Sequence, residues 1–491
     1  MLAACAAAWA QDAIQLGGET KRINMISAER GVILQETSDG IIALVPDTKK
    51  KVMCPVTEKG DWHLGLWGFD GKPIKEVVAP RKEAGECFSR IVDDKLYVLY
   101  PSGPGMMRLV VNPKTLEIIS KGEINGVSVY VNSDAEREVD AMFKIATTTE
   151  CAVSASPNGD FYVIANRHSI TKMIALLDET FEPLWVRKDL VDVSSFVRVD
   201  NEGVVYMIHA LADAKSHASR IKFLRLDVED ETEKVIDLPY ELRDLSLLNV
   251  IDGRIVALGL VATDLASNQT EKRRTCDRLI GMVYDFNKMT FSKDIQNISS
   301  DALNVFGNLG TGKTNPIGKA DMLSITLGQP TSYGGVGILQ RGWGKEVYNR
   351  DFGITYYSYV VSGQVMVSVG VDGTIKWQRP FRQYMEEKNF REQSRTLPLL
   401  ITEGEDSYFI IPQERISKTG YDIASPIPAN KIPGRAFYTA IFRVDASGNV
   451  TVKSAPKRSQ NLLDSPIRTK DGRYLSFYSS PNKGGFAYFQ L

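Results

Sequence analysis

The sequence predicts an all-β chain of repeated four-stranded units closed into one ring, and three observations carry that prediction. One kind of β-hairpin recurs seven times, a second kind of tight turn recurs eight times between the hairpins, and the last unit stops one strand short. Such repetition marks a repeat architecture rather than seven unrelated hairpins.

The hairpin is clearest at residues 365–381, VMVSVGVDGTIKWQRPF. Apolar and polar residues alternate as in a half-buried strand, Asp372-Gly373 supplies a tight turn, and Ile375 and Trp377 open a second strand. The same succession occurs at residues 66–71 (LWGFDG), 109–115 (LVVNPKT), 174–180 (IALLDET), 223–230 (FLRLDVED), 282–288 (MVYDFNK) and 440–448 (AIFRVDASG). The second marker is a turn that opens a strongly apolar strand. It stands at Ser38-Asp39-Gly40, Asp93-Asp94-Lys95, Asn158-Gly159-Asp160, Asn201-Glu202-Gly203, Asp252-Gly253-Arg254, Gly334-Gly335, Glu405-Asp406-Ser407 and Asp471-Gly472-Arg473. These are residue types suited to positive φ or to chain reversal.

Interleaved, the markers predict units in which the tight turn joins strands a and b and the hairpin joins strands c and d. The eighth unit ends with residues 484–491 (GGFAYFQL), and residues 14–26 would return to pair with it as its missing strand. Closing the ring this way leaves no sheet edge open. The expectation is therefore a single β-propeller over residues 11–491, with eight blades, or seven if one unit is mis-assigned. Helix is expected to be scarce, with windows only at residues 134–144 and 385–393.

Composition excludes some functions. With 59 basic and 60 acidic residues the net charge is −1, so no global field draws the chain to nucleic-acid phosphates. The first ten residues, MLAACAAAWA, end in an A-x-A pattern at Ala8-Trp9-Ala10, which reads as the remnant of a secretory signal. Leu2-Ala3-Ala4-Cys5 also matches a lipobox, which would place a lipid anchor on Cys5. Either reading sends the chain out of the cytoplasm, to the periplasm, the outer membrane or the medium. No later stretch is long and apolar enough for a membrane span. Cys54, Cys87, Cys151 and Cys276 lack metal-ligand spacing, so neither a metal nor another cofactor is expected. His168 and His209 close apolar strands, whereas His63 and His217 read as loop residues.

The hairpins VDGTIKW and LDETFEPLW resemble the repeats of PQQ-like and WD40-like β-propellers. Residues 334–381, with GGVGILQ, ITYYSYVV and GVDGTIKWQRPF, are similar to a segment of uncharacterised extracytoplasmic β-propeller proteins of Bacteroidota. That resemblance implies the propeller fold and an envelope location, and no particular activity.

Residues 307–314, GNLGTGKT, satisfy the P-loop expression in full. A P-loop needs a buried strand before the glycines and a helix starting at the Lys-Thr. Here the preceding apolar stretch is short, and Asn315-Pro316 and Gly318 would break the helix, so a connection between blades is the expected reading.

Insertions fall unevenly. Long b–c connections are expected at residues 262–278, 342–355 and 415–435, with a long d–a link at 303–320, all on one face, while the opposite turns are tight. Long loops on a rigid scaffold are where function is commonly placed. These carry Arg273, Arg274, Trp343, Lys345, Tyr348, Arg350, Tyr421 and Arg435, residue types favoured at binding hot spots. The expected function is recognition of a protein or glycan partner at the cell envelope. A polysaccharide hydrolase or lyase at the same mouth, and a structural part in an envelope assembly, are the alternatives. No residue spacing identifies a catalytic group.

Overall fold

The computed structural model describes residues 14–18, 31–46, 62–80, 87–102, 105–128, 151–166, 172–188, 190, 193–194, 196–212, 219–228, 230–238, 240–262, 278–307, 322–349, 354–388, 399–413, 438–454, 461–462, 466–480 and 483–491. Their strands form eight antiparallel sheets. Seven are consecutive four-stranded meanders, blades 1–7, at residues 32–79, 88–128, 151–187, 197–238, 241–297, 322–388 and 399–454. The eighth joins both ends of the chain. Tyr474–Ser480 and Lys483–Phe489 are its strands b and c, Asn461–Leu462 and Ile467–Arg468 pair with strand b, and Ile14–Leu16 completes it as strand d. The chain is an eight-bladed β-propeller; the seven-bladed alternative falls.

Closure follows the expected pairing. Ile14 lies opposite Phe489 and Leu16 opposite Ala487, and the Gly17 N–H continues the ladder to the Phe486 carbonyl at 2.8 Å. Of the anticipated segment 14–26, residues 19–26 lie outside the described residues.

The core is divided among the seams between blades. Each buried cluster joins two neighbours, and the set runs round the whole ring. Blades 7 and 8 share Ile14, Ile410, Tyr478 and Phe489, and blades 8 and 1 share Trp67, Phe477, Phe486 and Tyr488. Burying one such side chain contributes about 1.5–3 kcal/mol, so each seam is a substantial hydrophobic interface. The first strands of neighbouring blades touch one another, while fourth strands carry exposed apolar residues such as Ile74 and Val78. Strand a is therefore innermost and strand d outermost.

The turns explain why the sequence markers worked. At the c–d hairpins an Asp or Asn accepts backbone N–H groups that the reversal leaves unpaired. Asp372 Oδ1 takes the Thr374 N–H at 3.1 Å and its hydroxyl at 2.7 Å. Asn112, Asp178, Asp285 and Asp445 act alike. A left-handed residue follows, Gly373 at φ 84° or Gly448 at φ 80°, but Phe181 takes the same role at φ 63°. Phe181 is fully buried against Tyr162, and that burial offsets the backbone strain a side chain meets there.

Three expectations are corrected. Of the anticipated loop 342–355, residues 342–349 and 354–355 are strand: Gly334–Asn349 and Ile354–Gly370 stay paired out to Asn349 opposite Ile354, and residues 350–353 lie outside the described residues. Ile375–Lys388 runs alongside as far as Lys388 opposite Ser358, so Met385, anticipated in a helix, is in a strand. Ladder hydrogen bonds compensate for the glycines and polar residues that made this stretch look like a loop. His63, expected in a loop, lies in strand c of blade 1, Trp62–Trp67. The window at residues 134–144 lies outside the described residues.

Part of the 303–320 link is helical. Helix α1, Ser300–Gly307, begins where Ser299 Oγ accepts the Ala302 N–H at 3.3 Å. It buries Ala302, Val305 and Phe306 over the seam between blades 5 and 6, and the Phe306 carbonyl at its other end accepts from Arg341 Nη1. A helix thus precedes the GNLGTGKT glycines where a P-loop requires a strand. Residues 308–314 of that motif lie outside the described residues.

Candidate functional site

The b–c and d–a connections emerge on one face of the ring, the a–b and c–d turns on the other. Blade 6 projects on the first face. Its strand b runs seven residues past Gly342, the last position paired with strand a, Met322–Thr331. At 3.3 Å per residue that is a projection of roughly 23 Å. Three strands form its base and two its tip.

Of the sequence-predicted residues, Trp343, Lys345 and Tyr348 lie on this projection. Their backbones pair with Val360, Ser358 and Thr355. Arg273, Arg274, Arg350, Tyr421 and Arg435 lie outside the described residues.

Sequence reasoning missed a second feature, at the axis. The innermost strands of blades 5 and 6 are irregular: register shifts leave Arg243 and Leu248 without a cross-strand partner in Glu241–Ile251, and Thr326 likewise in Met322–Thr331. Bulges of this kind re-aim side chains and are common near functional sites. Asn249 uses one of them to clamp blade 6, donating from Nδ2 to the carbonyls of Thr331 at 3.0 Å and Gly334 at 2.6 Å.

Two ionisable groups lie deep in this sector. Asp244 accepts the Ile325 N–H of blade 6 at 2.7 Å on Oδ2 and its neighbour Leu245's N–H at 2.8 Å on Oδ1. Burial pushes its carboxyl up to about 6, against the two N–H groups, which favour the charged form. Arg198, in strand a of blade 4 (Val197–Val199), reaches past blade 5 and donates from Nη2 to the Gly328 carbonyl of blade 6 at 2.8 Å. Burial pulls its pKa down to about 10, leaving it cationic at neutral pH.

The turn face behaves differently. There the carboxylates are held ionised: Asn449 and its N–H lower Asp445, and the Thr469 hydroxyl lowers Asp471. At Asp372 partial burial opposes ionisation, but Thr374 and Lys376 outweigh it and hold the carboxyl at about 2. These carboxylates are occupied in turns, and turn formation accounts for their presence.

Among the described residues no three His, Cys, Asp or Glu side chains converge to hold a metal ion. No helix among them is long and apolar enough to cross a membrane.

The class these features define is an eight-bladed β-propeller whose sixth blade projects. No family model matches the chain, and no curated protein matches it. Solved structures similar to it include the polysaccharide lyase Uly1, at 12% identity over 97% of this chain and 100% of that one, with a TM-score of 0.36. A puromycin-hydrolyzing peptidase of Mycobacterium tuberculosis follows at 10% identity, covering 94% of this chain and 60% of that one, TM-score 0.34. A post-proline cleaving enzyme from Rickettsia typhi shows 9% identity over 92% of this chain and 58% of that one, TM-score 0.33. This chain thus spans less than two thirds of either peptidase. At such identities and TM-scores these likenesses carry no argument about activity, and the fold stands on its own sheet order.

Proposed function

We propose that this propeller is an extracytoplasmic binding protein that takes a protein or glycan partner at the cell envelope on the face where blade 6 projects. The observation that supports this is the projection itself: paired strands run roughly 23 Å past the last rung shared with strand a, a length that closing the ring does not require. A ladder holds its backbone in one arrangement before a partner arrives, which lowers the entropy lost on binding. Its sequence is rich in contact residues, with Trp343, Tyr348, Tyr356, Tyr357 and Tyr359. The A-x-A pattern at Ala8–Ala10, the lipobox at Cys5 and the resemblance to extracytoplasmic propellers of Bacteroidota support the location.

The test is a pull-down from the envelope of the source cell, followed by affinity measurement. Trp343→Ala and Arg350→Ala should each weaken binding about thirtyfold, the effect of losing roughly 2 kcal/mol. Asp178→Ala and Asp445→Ala on the opposite face should leave it unchanged. Loss of binding in the turn variants alone would reverse the assignment of the face.

A further inference from the structure

Arg198 presents a charge problem that the fold by itself leaves open. Its guanidinium carries five N–H donors and stays protonated at any physiological pH. Only one acceptor meets it among the described residues, the Gly328 carbonyl, and burial is the sole influence on its pKa there. No carboxylate of the described residues acts on it. Asp244, the other deep ionisable group of this sector, gives both oxygens to backbone N–H groups instead.

Arg198 nevertheless keeps part of its surface accessible while lying deep among protein atoms. Both statements hold together when the accessible part faces the space enclosed by the innermost strands rather than bulk water. Its placement is built. The bond to Gly328 fixes one edge of the fork, and residue 328 must be small, since a Cβ there would stand 2.8 Å from Ser246 Oγ and 3.0 Å from Leu248 Cδ2. A bulge at Thr326 lies just upstream in the same strand. A charge held this deep with no carboxylate of the described residues beside it favours a counter-charge entering the channel.

We propose that Arg198 anchors an oxyanion-binding site inside the axial channel, where the free edge of its guanidinium takes a carboxylate, sulfate or phosphate group. Planar, two-pronged donation suits all three groups. The site is separate from the projecting face and does not depend on what binds there.

The full chain is tested by calorimetric titration with acetate, sulfate and inorganic phosphate in chloride buffer at constant ionic strength, with thermal unfolding measured in parallel. The wild type should bind at least one of the three saturably, which also identifies the preferred group. Arg198→Met should weaken that binding tenfold or more, and Arg198→Lys, which keeps the charge but not the fork, should fall between. Without added oxyanion Arg198→Met should melt no lower than the wild type, because it removes a buried charge. Should it fail to fold, Arg198→Lys carries the comparison. Overturning results are equal responses of wild type and variants to every anion, or the absence of saturable binding by the wild type. Either would make Arg198 a strut between blades 4 and 6.

Discussion

Blades 3 and 6 are built on the same turn and differ two- to threefold in the length of their strands. Blade 3 has strands of 5, 6, 6 and 5 residues, and blade 6 has strands of 10, 16, 17 and 14. At both c–d turns an Asp Oδ1 accepts the N–H and hydroxyl of a Thr two residues on, Asp178 with Thr180 and Asp372 with Thr374. Each carries a Trp in strand d, but only Trp377 finds an acceptor among the described residues, the Ala446 carbonyl of blade 7 at 3.0 Å, whereas Trp185 Nε1 is buried without one. The added length of blade 6 thus lies on the face opposite its turn. One end of a blade can vary because the other is held by local turn chemistry and by the seams.

The largest test of that separation is in the core. Phe381 is fully buried between Phe409 and Phe442 of blade 7, and Phe381→Ala should destabilise by about 3–5 kcal/mol in urea unfolding. Replacing residues 344–359 by Asn-Gly, a turn that closes a two-residue hairpin, should change stability by less than about 1 kcal/mol while abolishing partner binding. A stability loss matching that of Phe381→Ala would make the projection part of the ring.

Acidity separates the axis from the turns. The folded-state pKa of Asp244, about 6, lies above its ordinary 3.8, so the folded chain holds this proton more tightly than the unfolded one. Its influence therefore lowers stability as pH rises from about 4 to 6, by at most roughly 3 kcal/mol. Asp372 has the opposite sign, since its contribution is present above the ordinary value and lost as pH falls toward 2. Melting temperature against pH should lose its downward component between pH 4 and 6 in Asp244→Asn and keep its acid limb. An unchanged profile would remove Asp244 as the source.

The smallest effect compares the left-handed positions. Gly373→Ala should destabilise by about 1–2 kcal/mol, because φ is 84° and the new Cβ would approach Ser292 O at 3.2 Å and Val283 N at 3.3 Å. Phe181 occupies the matching position of blade 3 already with a side chain, so Phe181→Gly should relieve strain but lose burial, and its net effect should be dominated by the lost packing. A neutral Gly373→Ala in chemical unfolding would show that the turns are less demanding than their conformation implies.

Much of this was legible in the chain. Asp-Gly, Asn-Gly and Asp-Asp pairs at regular intervals are local signals: Asp93 and Asp94 take φ of 48° and 57°, and Asp252-Gly253 take 48° and 74°, as the tight turns require. The projection was not legible as structure, because Gly342-Trp343-Gly344 interrupts the alternation that marks a strand, and only a cross-strand partner restores it. Arg198 and Asp244 gave no signal either. In FVRVDNEG and ELRDLSLL a charge between apolar residues reads as the solvent side of an ordinary strand.

By itself the sequence determined the repeated four-stranded unit, the residues at the tight a–b and c–d turns and the pairing of the first described strand with the last, since those depend on residues a few positions apart and on a strand left over, and it narrowed the blades to eight or seven. Only the tertiary structure decided which strands face the axis, how far blade 6 stands out and what surrounds a buried charge. Arg198 and its acceptor Gly328 are 130 residues apart. The environment of that guanidinium exists only once blades 4, 5 and 6 stand side by side, because depth within a closed ring is a property of the whole assembly and not of any segment.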